Sequence, residues 1–276
     1  MLIVKHVMGI MKMIDKKKLM FLFLILTVSP CVGVAQVRTS GVFVSVATGV
    51  DLLYHKTNAA VDVIYQPVSS LLASDANKAS ALRMSPLMHV SLGYHHDLAN
   101  NWYYGVSIGY QILNQGSVLR HHSSDVESNN QNYILYTDQV KLHDQIDFSL
   151  LGGYRWRKLT SYVRVAYINS QLIYDNQYNF QNSHTPLTVP YTYANNSSTR
   201  RISGGLIGLG LMLPVSQHFA TSVEYQFSLY ENVGLAPLRV SKKIEGGGTG
   251  DLVYQADVHI KQMYASSVLV SLLYTF

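Results

Sequence analysis

The C-terminal stretch "VLVSLLYTF", residues 268–276, places a bulky aliphatic or aromatic side chain at every second position. The bulky set consists of Val268, Val270, Leu272, Tyr274 and Phe276, and the other parity includes Ser271 and Thr275. A period of two puts the two sets on opposite faces of a β-strand. Because an apolar strand with an open edge is an aggregation hazard, we expect this strand to be paired on both sides.

The same alternation recurs in seven earlier segments. They are residues 41–52, 87–96, 102–111, 146–156, 162–167, 204–213 and 222–227. In each segment, aliphatic or aromatic side chains oppose Gly, Ser, Ala or polar ones. With the C-terminal segment they predict eight strands.

The connections between these strands alternate in length. Short links lie near Asp97–Asn101, Arg157–Thr160 and Pro214–His218, and long polar ones near residues 53–86, 114–138, 169–200 and 229–260. This alternation predicts an up-and-down meander with tight turns on one side and long loops on the other. Four structureless loops of this length are unusual in a compact soluble domain. The stretch "AAVDVIYQPV", residues 59–68, leaves open an additional hairpin and ten strands.

The two faces of the strands decide the class of barrel. Eight strands leave an interior just wide enough for side chains, which suits the small and polar face, so the bulky face points outward into hydrocarbon. Trp102, Tyr104, Tyr154 and Trp156 lie on the bulky face beside tight turns, as membrane-interface aromatics do. We therefore predict an all-β fold, an eight-stranded antiparallel up-and-down transmembrane β-barrel with short periplasmic turns and long extracellular loops. The alternative is a soluble barrel or sandwich with an aromatic core.

The N-terminus predicts export. Three lysines precede an apolar run from Leu19 to Val28 and small residues at Gly33 and Ala35, which is typical of a signal peptide over residues 1–35. The barrel domain then covers residues 36–276. Removing the signal takes five of 21 basic and one of 16 acidic residues, leaving 16 against 15, so we expect no nucleic-acid partner. Cys31, the single cysteine, falls inside the signal and is interpreted as incidental rather than lipid-modified.

Parity also places three charged residues in the lumen: Asp147, Arg164 and Glu224. Because unpaired charges at membrane depth are costly, we expect them to form a hydrogen-bonded network, with Arg164 and Glu224 as the main pair. Such a network either plugs the barrel or lines a narrow pore. The sequence gives no catalytic residue, no metal site and no cofactor that we would assign.

The signal, the eight alternating segments, the terminal "YTF" and turns such as "DLANNWYYGVSIGY", residues 97–110, resemble small outer-membrane β-barrels of Gram-negative bacteria. The likeness is to the transmembrane domain of the outer-membrane protein A family and to Bacteroidetes-type barrel domains. It implies an outer-membrane location, contact with outer-membrane lipid and lipopolysaccharide, and assembly by the barrel-assembly machinery. It also implies that Tyr274 and Phe276 form the assembly signal, and that the last strand pairs with the first.

The functional expectation is a structural or adhesive barrel that binds any surface ligand through its long loops. Tyr174, Tyr178, Tyr191 and Tyr193 fit either a binding surface or strands that extend above the membrane. One alternative is a lipid A-modifying acyl hydrolase or acyltransferase. Its candidate residues are His121, His122, Ser123, Ser124, Asp125 and Glu127. The other alternative is a narrow channel.

Overall fold

The computed structural model describes residues 40–66, 70–98, 100–124, 132–157, 159–182, 192–235, 238–243 and 251–276. The predicted signal peptide, residues 1–35, lies outside the described residues. Within these ranges the secondary structure is entirely β, and no helix is long and apolar enough to cross a membrane.

Ten strands follow one another along the chain. They are β1 (Ser40–Gln66), β2 (Ser70–Asp97), β3 (Trp102–Ser124), β4 (Asn132–Trp156), β5 (Leu159–Asn182), β6 (Thr192–Pro214), β7 (Phe219–Tyr230), β8 (Val233–Gly234), β9 (Leu238–Lys243) and β10 (Asp251–Thr275). The short β8 and β9 pair with β10 further along the same edge that β7 uses. The strands β7, β8 and β9 therefore occupy one position around the sheet.

The sheet is a closed antiparallel barrel of eight strand positions. Each strand from β1 to β7 pairs with the next, β10 pairs with β7, and β1 pairs with β10 from Phe43↔Thr275 to Gln66↔Asp251. The fold-class prediction is confirmed, and so is the pairing of the last strand with the first. The backbone N–H of Phe276 donates to the carbonyl of Val42 at 3.0 Å, so the terminal strand has no open edge there.

Three tight turns join β2 to β3, β4 to β5 and β6 to β7, as the short links predict. Asn101 and Arg157 adopt positive φ angles of 64° and 57° in the first two turns. In the third, the N–H of Val215 donates to the carbonyl of Phe219 at 2.8 Å. These turns define the turn end of the barrel, and the opposite end is called the extension end below.

At the extension end the structure differs from the expected loops. Most of residues 53–86, 114–138 and 169–200 continue as paired strand, and residues 59–66 belong to β1 rather than to an extra hairpin. The reason is that polar composition does not prevent strand pairing when a neighbour supplies the ladder hydrogen bonds. The ten-strand alternative is therefore wrong. Seven long strands extend well past the part that carries the predicted alternation, and β7, β8 and β9 follow one another at the eighth position. This further part of the barrel is called the extension below.

Candidate functional site in the lumen and on the outer face

The outer face carries an apolar band near the turn end. Its side chains come from all eight strand positions and are each 41% to 64% exposed. They include Val42, Val46, Val50, Met84, Met88, Val90, Leu92, Val106, Ile108, Phe148, Leu150, Val163, Val165, Ile207, Leu209, Leu211, Leu229, Val268 and Leu272. A continuous apolar surface of this size belongs against hydrocarbon, not water.

Beyond the apolar band the two faces exchange polarity. On β10, the inward Ser267 and outward Val268 of the band give way to inward Ile260 and outward Lys261 in the extension. The interior of the extension is an apolar core, and its members with at most 2% exposure include Leu53, Leu87, Leu113, Val140, Leu142, Ile168, Leu172, Ile202, Val258 and Met263. Such a switch is expected where the surroundings change from lipid to water, because the apolar side always turns away from water.

Inside the band the structure brings Asp147, Arg164 and Glu224 together. Arg164 Nη2 donates to Asp147 Oδ1 at 2.5 Å, and Arg164 Nη1 lies 3.5 Å from Glu224 Oε1. Asp147 rather than Glu224 is thus the closer partner of the arginine. The three residues are only 1%, 5% and 7% exposed, so the ion pairs are shielded from water.

Further side chains complete this network, and sequence reasoning did not include them. His89 Nε2 hydrogen-bonds Asp147 Oδ2 at 2.9 Å, and Ser149 donates to Asp147 Oδ1 at 2.8 Å. On the other side, Tyr162 OH donates to Glu224 Oε2 at 2.7 Å, and Gln226 Nε2 donates to Glu224 Oε1 at 2.8 Å. The alternation in the sequence places all of these residues on the lumen face, and this is the feature from which their part in the network could have been predicted.

Two glycines make room for the network. A Cβ at Gly109 would lie 2.3 Å from His89 Nε2 and 2.4 Å from Asp147 Oδ2. A Cβ at Gly208 would lie 2.5 Å from Glu224 Oε1. The absence of side chains at these positions therefore lets the charged groups of neighbouring strands approach across the narrow lumen.

The lumen is filled above and below the network. Toward the turn end lies an apolar cluster of Phe43, Tyr103, Tyr162, Met212, Ala220 and Leu273, each at most 8% exposed. Toward the extension end, Gln145 Oε1 accepts hydrogen bonds from Tyr230 at 2.8 Å and Ser170 at 3.1 Å, and the apolar core of the extension follows. The charged layer is therefore enclosed on both sides.

The predicted interface aromatics lie on the outer face at the turn end. Trp102, Tyr104, Tyr154 and Trp156 are 55%, 46%, 42% and 72% exposed, and the rings of Trp102 and Tyr154 meet edge to face at 5.6 Å. An apolar groove of about 710 Å³ is lined by the rings of Trp102, Tyr104 and Tyr154 and by Leu209 and Leu211. Gly152, which has no side chain, leaves the surface of this groove open.

Tyr274 and Phe276 extend the same aromatic rim across the closing strand. Their rings meet edge to face with centroids 5.0 Å apart, and Phe219 packs on Tyr274 at the same distance. Phe276 is 57% exposed on the outer face.

The residues considered for catalysis and surface binding are partly placed. His121, His122, Ser123 and Ser124 lie in the outer part of β3, and Asp125 and Glu127 lie outside the described residues. Tyr178 and Tyr193 lie on β5 and β6, and Tyr191 is outside the described residues. Tyr174 is fully buried in the core of the extension. It therefore belongs to a strand that continues above the membrane, as one interpretation predicted, and it is not part of a binding surface. The described residues bring no three metal-ligating side chains together.

No protein-family model matches the sequence, and no curated protein matches it either. Similar solved structures include the outer membrane protease OmpT from Escherichia coli, at 12% identity and a TM-score of 0.41, covering 88% of this chain and 99% of that one. Neisserial surface protein A (NspA) is 9% identical, with a TM-score of 0.30 and 82% and 97% coverage. The N-terminal β-barrel domain of Pseudomonas aeruginosa OprF is 11% identical, with a TM-score of 0.27 and 87% and 100% coverage. At these values the similarities carry no information about activity.

Proposed function

We propose that the chain is an integral outer-membrane β-barrel protein with a structural or surface-binding role. The single observation that carries this proposal is the exchange of polarity between the two faces at the end of the apolar band. A soluble barrel has no reason to be apolar outside over one half of its length and apolar inside over the other. A barrel that crosses lipid and then continues into water needs an apolar outer face in the lipid and an apolar interior in the water.

The length of the extension supports a role at the cell surface. From Leu52, near the end of the band, β1 continues to Gln66, which is about 45 Å of strand at the usual rise per residue. In this orientation the tight turns face the periplasm and the extension faces outward. A surface ligand would meet the outer side chains of the extension and the connections beyond it.

Polar pairs hold the outer surface of the extension in place. Lys141 Nζ donates to Asp175 Oδ2 at 2.7 Å, and Ser197 donates to Asp175 Oδ1 at 2.7 Å. Partial burial tends to raise the pKa of Asp175, but these hydrogen bonds and the charge of Lys141 outweigh it and bring the pKa below its ordinary value. The extension thus presents an ordered polar surface, of the kind that binding requires.

The filled lumen favours a role without transport. The charged layer lies between two clusters of buried apolar side chains, and its own charged groups are at most 7% exposed, so a hydrated ion has little access to it. Purified protein in planar bilayers is expected to give no conductance steps. Regular single-channel steps would remove this part of the proposal.

The same packing disfavours catalysis in the lumen, because a lipid substrate cannot reach side chains that are at most 7% exposed. We therefore propose no enzymatic activity. Alanine substitution of His121, His122, Ser123 and Ser124 is expected to leave lipid A unchanged by mass spectrometry. A lost or altered acyl chain would favour the lipid A-modifying alternative instead.

Assembly and location belong to the same proposal. The outward-facing Tyr274 and Phe276 are expected to be recognised by the barrel-assembly machinery, and the apolar band is expected to contact outer-membrane lipid and lipopolysaccharide. The test is heat-modifiable migration: detergent-extracted outer membranes should give a folded band when unboiled and a second band when boiled. A mature chain that stays in solution without detergent would overturn the proposal.

A further inference from the structure

The closing seam between β1 and β10 carries two lysines directly opposite each other. The register pairs Lys56 with Lys261, and both side chains lie on the outer face. Opposed side chains on neighbouring strands have Cβ atoms about 5 Å apart, and like charges placed so are destabilising. Among the described residues no carboxylate forms an ion pair with either lysine.

A β-bulge is responsible for this arrangement. The register moves from Tyr54↔Tyr264 to Lys56↔Lys261, so two residues of β10 oppose one of β1, and Gln262 in the bulge has a φ of 54°. Without the bulge, Lys261 would point into the apolar core of the extension. With it, Ile260 points into the core and Lys261 points outward beside Lys56.

The lysine pair lies at the edge of the apolar band. One step toward the turn end, the rings of Tyr54 and Tyr264 stack with centroids 4.6 Å apart, and Val50 and Val268 of the band follow on the same face. Stacked tyrosines at this level mark a membrane interface, so the ammonium groups are at the depth of lipid headgroups.

We propose that Lys56 and Lys261 form a binding site for the phosphorylated sugar headgroup of an outer-leaflet glycolipid. The two ammonium groups hold one phosphate between them, which turns a repulsive pair into a favourable one. The acyl chains lie along the valines and tyrosines of the band, and this continuity selects a lipid rather than a free anion.

This inference rests on the proposed function, because it takes the extension end to face the outer leaflet. The test uses the full mature protein in zwitterionic micelles and records the temperature at which the folded gel band is lost. Four conditions are compared: no addition, bisphosphorylated lipid A, the same lipid without its phosphates, and inorganic phosphate. Saturating lipid A is expected to raise this temperature by about 5–10 °C, and the other additions by little.

The double variant Lys56→Gln with Lys261→Gln is expected to lose this rise. Without lipid it should be at least as stable as the wild type, because the repulsion is gone. Replacing both lysines by arginine should keep the rise, because a guanidinium also binds phosphate. Arg201→Gln is the matched control, since Arg201 is an outward cation of the extension but is paired with Asp144 at 3.6 Å, and it should keep the full rise.

Any of five results would overturn the inference. They are no rise in the wild type, an equal rise with inorganic phosphate, an equal rise with the lipid that lacks its phosphates, an unchanged rise in the double glutamine variant, and an equal loss of the rise in Arg201→Gln. Each is read on barrels that already show heat-modifiable migration. Failure of the proposed membrane function is therefore separate, because it would abolish that migration before any lipid is added.

Discussion

Replacing Arg164 by methionine tests whether the lumen network stabilises the barrel. The substitution keeps much of the apolar stem but removes the guanidinium that contacts Asp147 at 2.5 Å, Ser149 at 2.8 Å and Glu224 at 3.5 Å. Two carboxylates then remain in a lumen where they are almost fully shielded from water. Breaking a buried ion pair on one side costs about 3–5 kcal/mol, and we expect a loss of about 4 kcal/mol in the free energy of unfolding.

The assay is urea unfolding from phosphatidylcholine vesicles, followed by tryptophan fluorescence. The chain has two tryptophans, Trp102 and Trp156, both on the outer face at the turn end, so the signal reports on leaving the membrane. Arg201→Met is the control, because the Arg201 side chain is 49% exposed and its nearest carboxylate oxygen, on Asp144, is 3.6 Å away. Exposed pairs contribute less than about 1 kcal/mol.

A second variant separates lost charge pairing from lost packing. Adding Asp147→Asn and Glu224→Gln to Arg164→Met removes the unpaired charges and should restore at least about 2 kcal/mol. The reasoning is refuted if Arg164→Met stays within about 0.5 kcal/mol of the wild type. It is also refuted if the triple variant is less stable than Arg164→Met alone.

Two other predictions concern backbone space and pH. Gly109→Ala should lower the free energy of unfolding by about 1–3 kcal/mol, because its Cβ would press on the His89–Asp147 hydrogen bond. Gly205→Ala is the control and should leave the free energy of unfolding unchanged, because its Cβ would meet nothing within 4 Å. Equal effects of the two substitutions in urea unfolding would contradict this prediction. His55 lies inside the extension, where burial lowers its pKa to about 4, from 6.5. Its neutral form is therefore favoured in the folded state, so stability is full above pH 6.5 and falls by about 3 kcal/mol as the pH drops toward 4. His55→Gln should flatten this part of the pH profile, and an unchanged slope would show that other groups cause it.

Within the eight alternating segments, the sequence by itself determined the strand positions and the face that each side chain takes. Alternation is a local property with a period of two, so parity put Asp147, Arg164 and Glu224 on the lumen face and the valines and leucines on the other. The tight turns were predicted from the short links between the alternating segments. The alternation does not show whether a given part of a strand is surrounded by lipid or by water.

The tertiary structure decided the rest. Which lumen side chains meet depends on the register between strands and on the barrel's width, so the closer pairing of Arg164 with Asp147 and the part played by His89 were not readable from the chain. The extension was taken for loops because its outer face is polar, although its inner face is apolar and its backbone is paired. The bulge at Gln262 reverses parity on β10 and turns Lys261 outward, and only the pairing with β1 reveals it.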